Sequence, residues 1–137
     1  MIQKSVLLHC PLDQAFRLFT ERISEWWPIT HRLTKDPESL LFLESTGTFR
    51  ERSRDGREVE LGRVLTWQPP HRLTLDFYLG TGTAQPTSVE VTFEPEEAGT
   101  QVTIIHRPGP ESENLWSLRA HVFDKSWDSV LAALANR

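Results

Sequence analysis

The 137-residue sequence has a single cysteine and no excess of positive charge. Cys10 cannot form an internal disulfide, and we interpret it as an inert thiol because free cysteine mostly behaves as a small hydrophobe. The formal net charge is -4, whereas a nucleic-acid binder normally carries a basic face that neutralises phosphates. These two shortages exclude a disulfide-stapled fold and argue against nucleic acid as a partner.

Long apolar runs are also missing. No stretch approaches the roughly 20 apolar residues that cross a membrane, so no membrane contact is predicted. The first apolar run, Val6 to Leu8, is interrupted by His9 and is not followed by a small-residue cleavage site, which predicts a cytoplasmic protein. With 38% hydrophobic and 25% charged residues, the composition is that of an ordinary globular protein, and we expect one domain over residues 1–137.

Motifs for metal, nucleotide and nucleophilic chemistry are absent. The sequence contains no His-x-x-x-His pair, no paired cysteines, no glycine-rich phosphate loop, no acidic calcium loop and no nucleophile elbow. We therefore assign no cofactor, no metal ligand and no catalytic residue. A binding protein is favoured over an enzyme, and the sequence leaves catalysis open.

The secondary structure that is present follows a clear order. Ile2 to Leu8 predicts a strand, and Pro11 then opens a short helix because proline is well tolerated in a first helical turn. Glu21 to Trp27 predicts a second short helix, which Pro28 ends. From Leu40 to Arg107 the apolar residues alternate, which predicts six antiparallel strands. A long helix over Leu115 to Leu134 completes an α+β fold in which a curled antiparallel sheet wraps around the C-terminal helix.

The last helix has an apolar stripe with an irregularity. Leu115, Val122 and Trp127 belong to the stripe, and Trp127 is expected to pack in the core. Arg119 and Ser126 fall near the middle of the same stripe instead of on the solvated side. A cation on the buried side of a helix indicates either an apolar pocket that contains one polar group or an internal ion pair.

The order of elements and several segments resemble the helix-grip fold of the START-like superfamily, in the branch named for the activator of the Hsp90 ATPase. The segments that carry the resemblance are Phe16 to Pro28, Gly47 to Arg52 followed by Asp55-Gly56, Gly62 to Leu65, Trp67 to Leu73, and Ser126-Trp127 with Leu131 and Leu134. The family often has Gly-Gly where this chain has Thr46-Gly47, and Gly-Trp where it has Ser126-Trp127; both changes keep a small residue.

The resemblance implies several functions rather than one. Members of this superfamily bind lipids, hormones and other apolar molecules, some cyclise polyketides, and others are co-chaperone domains, so the fold leaves the activity open. We expect binding of a small, largely apolar ligand between the sheet and the last helix. The alternatives are a polyketide-cyclase-like enzyme that uses the same cavity, with Glu51 or His106 moving protons, and an interaction module with an exposed patch around Trp27. A homodimer also stays open.

The alternation of side chains along the strands and the apolar stripe of the last helix together indicate the candidate site. Converging polar groups in an apolar cleft are the usual form of a small-molecule site, and an anionic or polar ligand end is expected near Arg119 or Arg63. The alternation of side chains along the strand points Arg63 inward, but a bulge at Gly62 would change that direction. If Glu51 simply pairs with an arginine, the contact is structural and not part of a ligand site. One of Trp26 and Trp27 is expected at the cavity mouth or against a partner. His31 either gates the pocket, acts as an acid or base, or is a solvated loop residue. The candidate ligand-binding residues are Trp26, His31, Phe49, Glu51, Arg63, Trp67, Phe77, His106, Arg119 and Phe123.

Overall fold

A computed structural model describes all residues from Met1 to Arg137. It contains seven strands and two α-helices. The strands are β1 (Ile2–Leu8), β2 (Leu40–Leu43), β3 (Thr48–Arg52), β4 (Glu58–Gln68), β5 (Arg72–Phe77), β6 (Thr87–Glu96) and β7 (Gly99–Arg107). The helices are α1 (Leu12–Phe19) and α2 (Glu113–Ala135), with short 3-10 turns at Ile23–Glu25 and Ile29–His31. No helix is long and apolar enough to span a membrane.

All seven strands form one antiparallel sheet in the order β1-β7-β6-β5-β4-β3-β2. Strands β2 to β7 follow each other as a meander, and β1 returns to the edge beside β7. The helices cover one face of this curled sheet, which confirms the α+β helix-grip fold expected from the sequence. The predicted β1 has the bounds that the structure shows, and six further strands lie between Leu40 and Arg107 as expected.

The predicted inward residues of the central strands form the core. Leu75, Val89 and His106 lie side by side on neighbouring strands, and all three are buried. Across the protein, 26 buried apolar residues belong to one continuous cluster. Burial of this apolar surface is the main force that holds α1 and α2 on the sheet.

A register shift between β3 and β4 decides which way Arg63 faces. Phe49 pairs with Gly62, but the next residue of β3 pairs with Glu60, so Leu61 is an extra residue in the ladder. Gly62 also allows close approach, because a Cβ there would lie 2.4 Å from the Asp76 carbonyl oxygen. The bulge at Gly62, which the sequence allowed but did not decide, is therefore present, and it turns Arg63 to the solvent.

The second predicted helix is much shorter than expected. Only Ile23–Glu25 is helical, as a single 3-10 turn, so Trp26 and Trp27 lie beyond its end. Freed from helical geometry, both rings point into the core, and their exposed fractions are 5% and 3%. Trp27 as part of an exposed patch is therefore wrong, although its ring still reaches the lining of the cleft described below.

Only the second half of α2 contains fully buried residues. Its buried residues begin at Phe123 and continue through Trp127, Val130, Leu131 and Leu134, which have helical spacing. Arg119 lies one turn before Phe123 on the same stripe, but no residue of α2 before Phe123 is buried, and Arg119 is exposed. The expectation of a buried Arg119 is wrong because a helical wheel gives the direction of a side chain and not the extent of the surface that covers it.

Candidate functional site

A cleft of about 370 Å³ opens where α2 meets two loops of the sheet layer. One loop is the 3-10 turn Ile29–His31 with Leu33, and the other is the Leu79-Gly80 segment after β5. Eight of the twelve residues that line this cleft are hydrophobic: Trp27, Leu33, Phe77, Leu79, Val122, Phe123, Trp127 and Val130. The volume lies within the range of roughly 300 to 1,000 Å³ that small-molecule sites occupy.

The remaining lining residues are Thr30, His31, Gly80 and Ser126. None of the twelve is an aspartate, glutamate, lysine or arginine. Burial lowers the pKa of His31 from its ordinary 6.5, so this imidazole is neutral at physiological pH. The cleft is therefore apolar, with a few uncharged hydrogen-bonding groups.

The space deeper between sheet and helix is filled. Behind Trp27 and Trp127 the apolar side chains leave about 10 Å³, roughly the space of one water molecule. A predicted member of the site, Phe49, packs in this filled region, with its ring centroid 5.5 Å from that of Trp27. The structure thus places open space at the end of the sheet–helix interface and not along its length.

Gly80 fixes the shape of one wall. Its φ is +86°, a conformation that residues with a Cβ rarely adopt, and a Cβ there would lie 2.7 Å from Cε1 of Phe123. Glycine therefore allows the loop after β5 to pass directly over the Phe123 ring. This close approach joins the loop to the first covered turn of α2.

His106 is fully buried beside the cleft and does not line it. The indole N–H of Trp127 donates a hydrogen bond to His106 Nδ1 at 2.9 Å, and Nε2 lies 2.7 Å from Thr87 Oγ1. Because an indole only donates, Nδ1 must be the acceptor and the proton is assigned to Nε2. Burial, with a smaller effect from the N-terminal amine, lowers the pKa of His106 to about 3. His106 therefore acts as a neutral link between α2 and the sheet.

Glu51 is also fully buried and outside the cleft. Its carboxylate accepts the backbone N–H of Leu33 at 2.7 Å and the N–H of Thr34 at 3.2 Å, together with the Thr34 hydroxyl. The acceptor capacity of the side chain is used on the loop that forms one wall of the cleft. Glu51 thus positions Leu33, and it has no ion pair with Arg63 or Arg119.

A buried arginine holds the same loop from the other side. The Arg32 guanidinium donates to the carbonyl oxygens of Ser24, Trp27 and Ser39, which join the start and end of the loop. Sequence reasoning gave Arg32 no role. It stands next to His31 in a polar stretch, where nothing distinguishes a buried cation from a solvated one.

The structure therefore divides the predicted site residues into three groups. His31, Phe77 and Phe123 line the cleft. Trp26, Phe49 and Trp67 pack around the core. Glu51 and His106 are buried in hydrogen-bond networks, so neither side chain is open to exchange a proton with a ligand in the cleft. Arg63 and Arg119 are exposed and line no part of the cleft, so the expected cationic point is absent there.

Several lining residues were missed. Leu33 lies in a loop, where periodicity gives no signal. Leu79 continues the alternation of Leu75 and Phe77 just beyond the end of β5, and this pattern could have identified it. Ser126 carried a usable signal, since a serine in an otherwise apolar stripe suggests a polar point. No group of three or more His, Cys, Asp or Glu side chains comes together as a metal site.

A family model described as activator of Hsp90 ATPase homolog 1-like protein matches residues 9–137. No curated protein matches the chain. Among solved structures, protein NE0264 from Nitrosomonas europaea is similar with a TM-score of 0.68 and 15% identity, covering 98% of this chain and 91% of that one. CalU16 from Micromonospora echinospora is similar with a TM-score of 0.55 and 18% identity, covering 97% and 73%.

DynU16, a protein of the dynemicin biosynthetic locus, is similar with a TM-score of 0.69 and 18% identity. The match covers 98% of this chain and 45% of that chain. At identities this low the three structures support the fold and carry no information on what the cleft binds.

Proposed function

Since the chain belongs to the activator of Hsp90 ATPase homolog 1-like protein family, we propose that it binds a small, largely apolar molecule in the cleft at the end of the sheet–helix interface. The observation that carries this proposal is the lining, in which eight of twelve residues are hydrophobic around about 370 Å³. Apolar surface in a preformed cleft gains free energy when a ligand displaces water from it.

The packing around the cleft supports a preformed site. Glu51 and Arg32 fix the loop that carries Leu33, and the filled core behind Trp27 and Trp127 gives the cleft a rigid floor. A ligand that enters such a site loses less free energy to ordering the protein than one that must order a loop. The exposed apolar residues near the mouth, Leu33 at 49% and Val122 at 44%, offer further contact area.

The test uses Nile red, a neutral dye whose fluorescence rises in apolar surroundings. Val122→Trp places a large ring on a cleft-lining position of α2 and should reduce the dye signal at least severalfold. The matched control is Leu118→Trp, one turn earlier on the same helix, 66% exposed and outside the lining, which should retain the wild-type signal. Equal dye binding by Val122→Trp, Leu118→Trp and wild type would show that the dye does not use this cleft and would contradict the proposal.

A second candidate function, a protein-interaction module, is favoured by exposed apolar residues beside the cleft. Ile29 is 63% exposed and Leu118 is 66% exposed, so both side chains offer apolar contact area to a partner. The family description suggests the assay: the chain is added to Hsp90 and the ATPase rate is measured. Stimulation that is lost with Ile29→Ser and Leu118→Ser, while Nile red binding persists, would favour the module; an unchanged rate would count against it.

A further inference from the structure

The cleft has polar atoms but no charge, although an anionic ligand end was expected from the sequence. The two arginines nominated for that role, Arg63 and Arg119, are exposed and lie outside the lining. A carboxylate that entered the cleft would lose hydration without gaining a cation, which is costly in apolar surroundings. The lining therefore disfavours the charge that the sequence predicted.

Two hydrogen-bonding atoms of the cleft remain available to a ligand. Thr30 Oγ1 lies 3.0 Å from His31 Nδ1, which leaves His31 Nε2 without a protein partner. Ser126 Oγ likewise has no partner within the protein, and neither atom is sealed in the interior, where only Thr81 Oγ1 is unpaired. The indole N–H groups that face the same region are already used, by the His31 carbonyl for Trp27 and by His106 for Trp127.

We propose that the cleft selects an uncharged ligand that carries a hydroxyl or carbonyl group, and that Ser126 Oγ and His31 Nε2 hydrogen bond to this group. The inference rests on the proposed function and adds the chemical class of the ligand. Ser126 lies on α2 and His31 on the facing loop, so the polar points stand on opposite walls of an otherwise apolar cleft. A serine hydroxyl donates or accepts, and a neutral imidazole nitrogen does either according to its tautomer, so both alcohols and ketones fit.

The test compares three probes of nearly the same shape by isothermal titration calorimetry at pH 7.5. Naphthalene has no polar group, 2-naphthol has a neutral hydroxyl, and 2-naphthoate carries a charge. The expected order of affinity is 2-naphthol, then naphthalene, then 2-naphthoate, with the anion at least about tenfold weaker than the alcohol because it is desolvated without a counter-charge.

Variants of α2 test the role of Ser126 and of the uncharged lining. Ser126→Ala should weaken 2-naphthol about three- to tenfold, the worth of one hydrogen bond, and leave naphthalene unchanged. Its matched control is Ser129→Ala, three residues later on the exposed side of α2, which should change neither affinity. Val122→Lys adds a cation to the lining and should raise the affinity for 2-naphthoate without raising that for 2-naphthol.

The outcomes separate the two proposals. If naphthalene binds but 2-naphthoate binds as well as or better than 2-naphthol, the selection for neutral ligands is overturned while the apolar binding site stands. If Ser126→Ala weakens naphthalene and 2-naphthol equally, the serine acts through packing and the hydrogen bond is overturned. If none of the three probes binds, both this inference and the proposed function fail.

Discussion

The buried imidazole of His106 should make the protein lose stability as the pH falls. In the folded protein Nδ1 accepts the indole N–H of Trp127, so a proton added there would place two donors against each other. The surroundings are aromatic, with the rings of Phe77, Trp116 and Phe123 centred between 4.5 and 5.4 Å from the imidazole. Such surroundings stabilise the neutral ring and not the cation.

The sign and size follow from proton linkage. The pKa of His106 is lowered from 6.5 to about 3, so between these values the unfolded chain binds a proton that the folded chain does not. The contribution is present above pH 6.5 and is lost as the pH falls, by about 1.4 kcal/mol per pH unit. Lowering the pH from 7 to 5 should therefore reduce the free energy of unfolding by about 2 kcal/mol.

Urea unfolding followed by tryptophan fluorescence at pH 7, 6 and 5 measures this slope. His106→Gln removes the titrating ring and should lower stability at pH 7 but flatten the dependence between pH 7 and 5. Burial lowers the pKa of His31 in the same direction, so His31→Gln is the background in which the comparison is made. His121→Gln, on the exposed side of α2, should keep the full slope. If His106→Gln retains the same slope as its background, the buried neutral imidazole is not the source and the reasoning is refuted.

The other predictions concern packing, the loop and the surface. Trp127→Ala should lower the free energy of unfolding by about 3 to 5 kcal/mol in urea titrations, because it empties a core position and leaves His106 Nδ1 unpaired. A loss below about 1 kcal/mol would contradict the packing described. Glu51→Gln should cost about 1 to 3 kcal/mol and weaken Nile red binding, since an amide cannot accept all three donors of the loop, while the exposed Glu60→Gln should do neither. Arg119→Leu should leave both the stability, within about 0.5 kcal/mol, and the affinity for 2-naphthoate unchanged; a clear loss of 2-naphthoate binding would restore the cationic site.

The sequence determined the sheet and the helix that lies on it. Alternation in β5, β6 and β7 placed Leu75, Val91 and Ile104 on one face, because strand side chains alternate and only one face of this sheet is covered. The spacing of Phe123 and Trp127 gave the buried stripe of α2 for the same kind of reason. These patterns are local consequences of backbone geometry, and reading them requires no knowledge of distant contacts.

The candidate site was decided by tertiary structure. Arg119 belongs to the apolar stripe yet is exposed, because the fully buried part of α2 begins only at Phe123. Arg63 points outward because one extra residue, Leu61, shifts the register of β4. Glu51 is inward as expected, but its partners are the backbone of Leu33 and the Thr34 residue of a loop 17 residues away.

Whether a polar side chain meets a ligand, a loop or solvent depends on where the covering elements end and how strands pair. Those are properties of the whole fold, and no pattern within one segment records them. The chain alone therefore determined a sheet wrapped around a helix. Only the tertiary structure decided that the open space between them is short, uncharged and placed beside Ser126 and His31.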